Sequence, residues 1–313
     1  MKAALLLAAL ACAKAPSLLG GEHGLDHVGI AVRDLPAARK TFHDGLGFGA
    51  MVPGKLSNGI ENLNYYFEDS TYLETLTADD SAKARQVAEF VSHGEGAIFA
   101  ALSIASPEKT KEFLGRRGIK TGPPIPGSIK TGREESSWKT LFFEGSTLPG
   151  NPLFFIAYSQ PARDETLGKL QAAVKSGKVY KHPNGALGIK AAWLAVLDLD
   201  QAVKQFEAAG MPAGAAFIEP RLGGLGRMIQ AGQGQVLLIA PAASDSAVSR
   251  FLEQRGGPGL LGLSIEVSLL GVAQKFAARA AGKKMPAAAG ALGQSIWLEP
   301  SVTHGVWLEL FQR

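Results

Sequence analysis

Apolar residues recur along this chain with two periods, and stretches of the two kinds alternate. In DHVGIAV, Val28, Ile30 and Val32 alternate with His27, Gly29 and Ala31. Period two places the two sets on opposite faces of a strand. Leu35, Ala38, Phe42 and Leu46 then follow at helical spacing. Asp34 stands where a helix cap belongs, Pro36 suits the first turn, and Gly45 and Gly47 end the helix. Two strand-like runs follow, ENLNYYF (61–67) and TYLETLT (71–77), with the turn residues Asp69 and Ser70 between them.

This phrase occurs four times. LDHVGIAVRDLPAARKTF ends at Phe42, AALSIASPEKTKEF at Phe113, AAWLAVLDLDQAVKQF at Phe206 and LSIEVSLLGVAQKF at Phe276. Repetition fixes architecture before any motif is considered. The second unit predicts a strand over 98–104, a helix over 107–117 and the strands WKTLFFE and PLFFIAY. The third predicts a strand over 191–197, a helix over 199–209 and strands near 227–230 and 235–240. The fourth predicts a strand over 261–268, a helix over 270–281 and the strands SIWLEP and GVWLELF. Phe42 lies 15 residues after His27 and Phe206 lies 15 after Ala191, whereas units two and four are one residue shorter. A two-unit domain that was duplicated explains this alternation. The fold class expected is α+β, with two tandem domains over 22–160 and 184–313 and a polar helical linker over 161–183. KARQVAEFV and AVSRFLEQR read as matching helices that bridge paired units.

Charge adds little. The 32 basic and 28 acidic residues are scattered, with no basic stripe interleaved with aromatics, so nucleic acid is not an expected partner. No run beyond the N-terminus is long enough for a transmembrane segment. MKAALLLAALACAKAP reads as a secretory signal peptide within residues 1–20, which implies a secreted or periplasmic protein. Lipoprotein anchoring at Cys12 fits less well, because Leu10 falls one position late. Cys12 is the only cysteine, so the processed chain would hold no disulfide and no Cys nucleophile. RLGGLGRM lacks the following helix that a nucleotide loop needs, and no serine-nucleophile motif occurs.

DHVGIAVRDLPAARKTFHDGLGF, NLNYYFEDSTYLETL, NPLFFIAYSQP, HPNGALGI and GVWLELFQR together resemble the vicinal oxygen chelate superfamily, in particular its glyoxalase-like domains. The resemblance runs from Leu25 to Arg313. It implies four βαβββ modules, paired so that curled sheets enclose a cavity. In the enzymes of that superfamily, a His or Gln on a module's first strand and a Glu on its last hold a divalent metal, which stabilises an enolate-like charge. Other members only bind their ligands.

Scored against that pattern, unit one matches with His27 and Glu74. Unit two has Phe99 and either Phe154 or Phe155, unit three has Ala191 and Leu238, and unit four has Gly262 with Glu309, Glu266 being a further carboxylate near it. The metal candidates are therefore His27, Glu74 and Glu309, for Zn, Ni, Mn or Fe. Glu74 and Glu309 are the catalytic candidates, as proton acceptors. The three ligands meet only if modules one and four pair; pairing one with two and three with four, which the short connections favour, leaves His27 and Glu74 alone. Equally, His27 and Glu74 form an ion pair without metal. Asn62, Asn64, Tyr66 and Tyr72 are candidates for binding a small-molecule ligand, and Trp193, Trp307 and Phe311 for lining the second cavity. Two functions follow from the resemblance: a metal-dependent lyase, isomerase or dioxygenase acting on a small oxygenated molecule, or a metal-free sequestration protein of the bleomycin-resistance type. A homodimer is compatible with either.

Overall fold

The computed structural model describes residues 18–19, 23–49, 51–131, 134–159 and 181–313. The signal-peptide reading up to residue 17 and the linker reading over 161–180 lie outside them. Leu18 and Leu19 already belong to the folded body: the Leu18 amide donates to the Gly210 carbonyl at 2.9 Å, and Leu19 is buried. Among the described residues no helix is long and apolar enough to cross a membrane.

The first half runs β1 (Gly24–Ala31), α1 (Leu35–Arg39), β2 (Met51–Lys55), β3 (Ile60–Tyr66), β4 (Tyr72–Ala78), α2 (Arg85–Ser92), β5 (Gly96–Ser103), α3 (Pro107–Gly115), β6 (Ile125–Thr131), β7 (Glu134–Phe142) and β8 (Leu153–Tyr158). The second half repeats it as β9 (Ala186–Ala195), α4 (Leu199–Ala208), β10 (Ala213–Glu219), β11 (Gly224–Ala231), β12 (Gly234–Pro241), α5 (Ala247–Arg255), β13 (Gly259–Val267), α6 (Leu270–Ala281), β14 (Ala288–Ala289), β15 (Gln294–Leu298) and β16 (Trp307–Gln312). Helix α1 starts as expected, with the Asp34 side chain accepting from the Ala37 amide, and continues as a π-helical turn over Lys40–Gly45. The edge strands β2, β6, β10 and β14 carry no clear alternation in sequence, and it is the βαβββ pattern implied by the resemblance that calls for them.

The strands form two sheets of eight, ordered β2-β3-β4-β1-β5-β8-β7-β6 and β10-β11-β12-β9-β13-β16-β15-β14. Module one therefore shares a sheet with module two, and module three with module four. Within each module the first strand runs parallel to the last, and the two first strands run antiparallel in the middle of the sheet.

The outer faces of both sheets, with the helices, share one continuous apolar core. The repeated phenylalanines explain how. Phe276 of module four lies against Gly47, just past the helix of module one, where an added Cβ would come within 2.7 Å of its ring. Phe113 of module two lies in the same way against Gly210 of module three, within 2.6 Å. Both glycines have positive φ, so each ends its helix and clears space for a ring from the other half. The helices thus pair one with four and two with three, although the sheets do not.

His182 fastens the second half to the first. Its Nδ1 accepts from the Gly49 amide at 3.0 Å and its Nε2 donates to the Tyr66 carbonyl at 2.8 Å. Burial pushes the ring's pKa down to about 4, so it is a neutral structural wedge at physiological pH. Nearby, the Asn184 amide donates to the Leu46 carbonyl at 2.8 Å.

Candidate functional site

Each sheet has a concave inner face, partly plugged at one end by a helix. In the first half Val87, Phe90 and Val91 of α2 pack on Ala31, Leu76 and Phe99. Beyond that plug the inner face carries His27 on β1, Asn62 and Asn64 on β3, Tyr72 and Glu74 on β4, Phe99 on β5 and Phe154 and Tyr158 on β8. The pleat puts Gly29 opposite Glu74 and His27 opposite Tyr72.

His27 and Glu74 do come together. His27 Nε2 stands 3.8 Å from Glu74 Oε2, too far for a hydrogen bond. Both side chains are buried. Asn62 Nδ2 donates to Glu74 Oε1 at 2.7 Å. Burial raises the Glu74 pKa above the ordinary carboxylate value, opposed by His27 and by the Asn62 hydrogen bond. Tyr72 stacks flat on the imidazole, with ring centroids 4.2 Å apart. Asn62 and Asn64 each keep a buried side-chain oxygen that accepts no hydrogen bond among the described residues.

Asp26 is the residue sequence reasoning missed. Strict alternation would turn it away from His27, but the β1–β5 register slips between Leu25 and His27. Such a bulge brings neighbouring side chains to one place. The His27 Nδ1–H donates to Asp26 Oδ1 at 2.6 Å, and the Tyr158 hydroxyl donates to the same oxygen at 2.9 Å. A carboxylate accepts only, so in the neutral ring the proton sits on Nδ1 and Nε2 is left as an acceptor. The Tyr72 and Tyr158 hydroxyls lie 3.4 Å apart, and burial holds both phenols well above their usual pKa.

Module two supplies no His or Glu at the matching positions. Phe99 and Phe154 occupy the positions that correspond to His27 and Glu74, and Phe155 turns to the outer core instead. The Phe99 ring covers Gly29, filling the place a side chain would take there. Both rings meet the imidazole edge-on, at 5.6 and 6.1 Å.

Glu309 lies in the other sheet and takes no part in this cluster. Opposite Ser264 on β13, it accepts from the Ser264 hydroxyl at 2.6 Å, and that hydroxyl accepts from Trp193 Nε1 at 2.6 Å. Burial pushes its pKa up to about 7. The second inner face is packed by Trp193, Trp297, Trp307 and Phe217 and plugged by Val248, Phe251 and Leu252 of α5. Leu237, not Leu238, faces this hollow: Leu237 pairs with Trp193, while Leu238 lies in the outer core. Glu266 points to the join between the halves, 3.8 Å from Lys190 Nζ. Among the described residues no three His, Cys, Asp or Glu side chains converge as a metal site would require.

The sequence matches the family described as "Glyoxalase-like domain" over residues 25–216. No curated protein matches the chain. Among solved structures, a hypothetical protein from Staphylococcus aureus aligns over 92% of this chain and 99% of its own, at 13% identity and a TM-score of 0.61. A triple mutant of 4-hydroxymandelate synthase from Streptomyces coelicolor aligns over 95% of this chain and 93% of its own, at 16% identity and a TM-score of 0.59. At such identities the likeness is one of fold.

Proposed function

The chain belongs to the glyoxalase-like domain family, and from that premise we propose that the inner face of its first sheet binds a small molecule without a tightly held divalent ion. The observation that carries this reading is the pair of rings, Phe99 and Phe154, at the positions where module two would present donors. A catalytic ion is ordinarily held by about three protein ligands and keeps one open position. His27 and Glu74 supply two, and Glu309 belongs to the second sheet. The residues present do not fit a resident Zn, Ni, Mn or Fe ion, so no chemical step is assigned to one.

What remains suits binding. Phe99, Phe154 and Tyr72 form an aromatic wall, all three partly exposed, and Phe142 extends it with its ring 5.1 Å from Phe154. Against that wall stand a few convergent polar groups: Asp26, His27, Asn62, Asn64 and Glu74. An apolar surface with a small number of fixed polar groups is the usual make-up of a small-molecule site.

Two measurements test the reading. Saturation-transfer NMR should detect millimolar phenol and benzyl alcohol on the wild type, with binding weakened about tenfold in Phe154→Ala. Calorimetric titration with Zn2+, Ni2+, Mn2+ and Fe2+ should give no micromolar affinity that depends on His27. No transfer to either probe would remove the binding reading. A micromolar ion site abolished by His27→Ala would restore a metal-dependent enzyme in its place.

A further inference from the structure

We infer that the ligand of this hollow is a primary organic ammonium carried on an aromatic or otherwise flat apolar body; the inference rests on the small-molecule reading above. Its first support is charge. Asp26 and Glu74 are two carboxyl groups, about nine-tenths buried, and His27 lies between them. Among the described residues no Lys or Arg nitrogen lies within ion-pairing distance of either one. Even a doubly protonated His27 would leave one negative charge uncompensated when both are ionised. A buried charge without a partner is strongly unfavourable, so the ionised hollow is completed by a cation.

The second support is the direction of the hydrogen bonds. With Nδ1–H given to Asp26, His27 Nε2 is left facing Glu74 Oε2 across 3.8 Å, too far for a hydrogen bond between them. The buried oxygens of Asn62 and Asn64 also await donors. A ring nitrogen and a carboxyl that make no hydrogen bond to each other, beside amide oxygens with no partner among the described residues, call for a ligand that brings several N–H groups. An ammonium brings three.

The third support separates an organic cation from a metal ion. The walls are the rings of Tyr72, Phe99 and Phe154, packed around the imidazole. Aromatic faces attract ammonium groups and give no donor atom to a divalent metal. They also offer a flat surface to the ligand's apolar part.

The test uses three probes that share one ring and differ in the head group. Benzylamine carries charge and N–H donors, benzyltrimethylammonium carries charge alone, and benzyl alcohol carries a donor without charge. At pH 7, NMR titration of the full chain should show benzylamine bound at least about fivefold tighter than either of the other two. Glu74→Gln should bring the benzylamine to benzyl alcohol ratio down to about one. A smaller wild-type preference, or a preference that survives Glu74→Gln, overturns the inference. If benzyl alcohol binds as well as benzylamine, the ammonium inference fails while the binding role stands. If none of the three binds, both fall.

Discussion

Between pH 4 and pH 8, Glu309→Gln is expected to gain about 3 kcal/mol of stability relative to the wild type. Glu309 is fully buried, and burial lifts its pKa from 4.5 to about 7. The Ser264 hydrogen bond, and with smaller effect Arg221, favour the ionised form, whereas the nearby Glu219 opposes it. The sign follows from proton binding. Below pH 4.5 the group is protonated whether the chain is folded or unfolded, and it contributes no pH dependence. As pH rises from 4.5 to 7 the unfolded chain sheds the proton and the folded chain retains it. Stability is lost across that window and levels off above it. Glutamine keeps the shape and does not titrate. Urea midpoints of the two proteins, measured every half unit from pH 4 to pH 9, give the difference directly. Parallel curves would mean that the carboxyl is hydrated at neutral pH and that the second hollow is open.

The same residue shows what could be read from the chain alone. Its place on the last strand of module four followed from the strand-like run GVWLELF, and its inward direction only from the resemblance. Its partners did not, because module pairing is decided by contacts between distant segments. The short connections favoured the pairing found, but nothing local excluded the swapped one. The four helices and most strands were legible because each module repeats the same alternation, and the helices 247–255 and 270–281 lie where the sequence placed them. Leu238 was assigned to the wrong face because a period-two pattern in a run of apolar residues carries no polar marker. Asp26 was invisible for a different reason: a bulge changes direction without changing composition. Phe99, and either Phe154 or Phe155, stand in the sequence where ligands are missing, but that Phe99 and Phe154 close around the imidazole is a matter of packing.

The second large effect is expected at Gly232. This residue sits in the turn between β11 and β12, at positive φ, and forms an isolated bridge with Gly24 that ties the second sheet to the start of the first. The Gln233 amide donates to the His23 carbonyl at 2.9 Å beside it. A Cβ on Gly232 would overlap the His23 carbonyl, and one on Gly24 would overlap the Ala231 carbonyl. Neither obstacle is a side chain that can rotate away. Gly232→Ala is therefore expected to cost roughly 4 kcal/mol or more, at the extreme of single substitutions. Gly282→Ala is the control. Gly282 has nearly the same φ, at the end of α6, but nothing lies within 4 Å of the added carbon. It should cost only about 1 to 2 kcal/mol, the penalty of the left-handed backbone alone. Urea denaturation of both variants separates overlap from conformational strain, and equal losses would show that the join between the halves yields.

Phe99 and Phe154 face His27 and Glu74 on a backbone whose pairing is intact. The register that sets Glu74 beside Gly29 on the first pair of strands sets Phe154 beside Ala101 on the second, so both modules aim these side chains at one surface. Two exchanges, Phe99→His and Phe154→Glu, would set four donor side chains around this surface, so an aromatic wall and a symmetric cage differ here by one side chain on each of two strands.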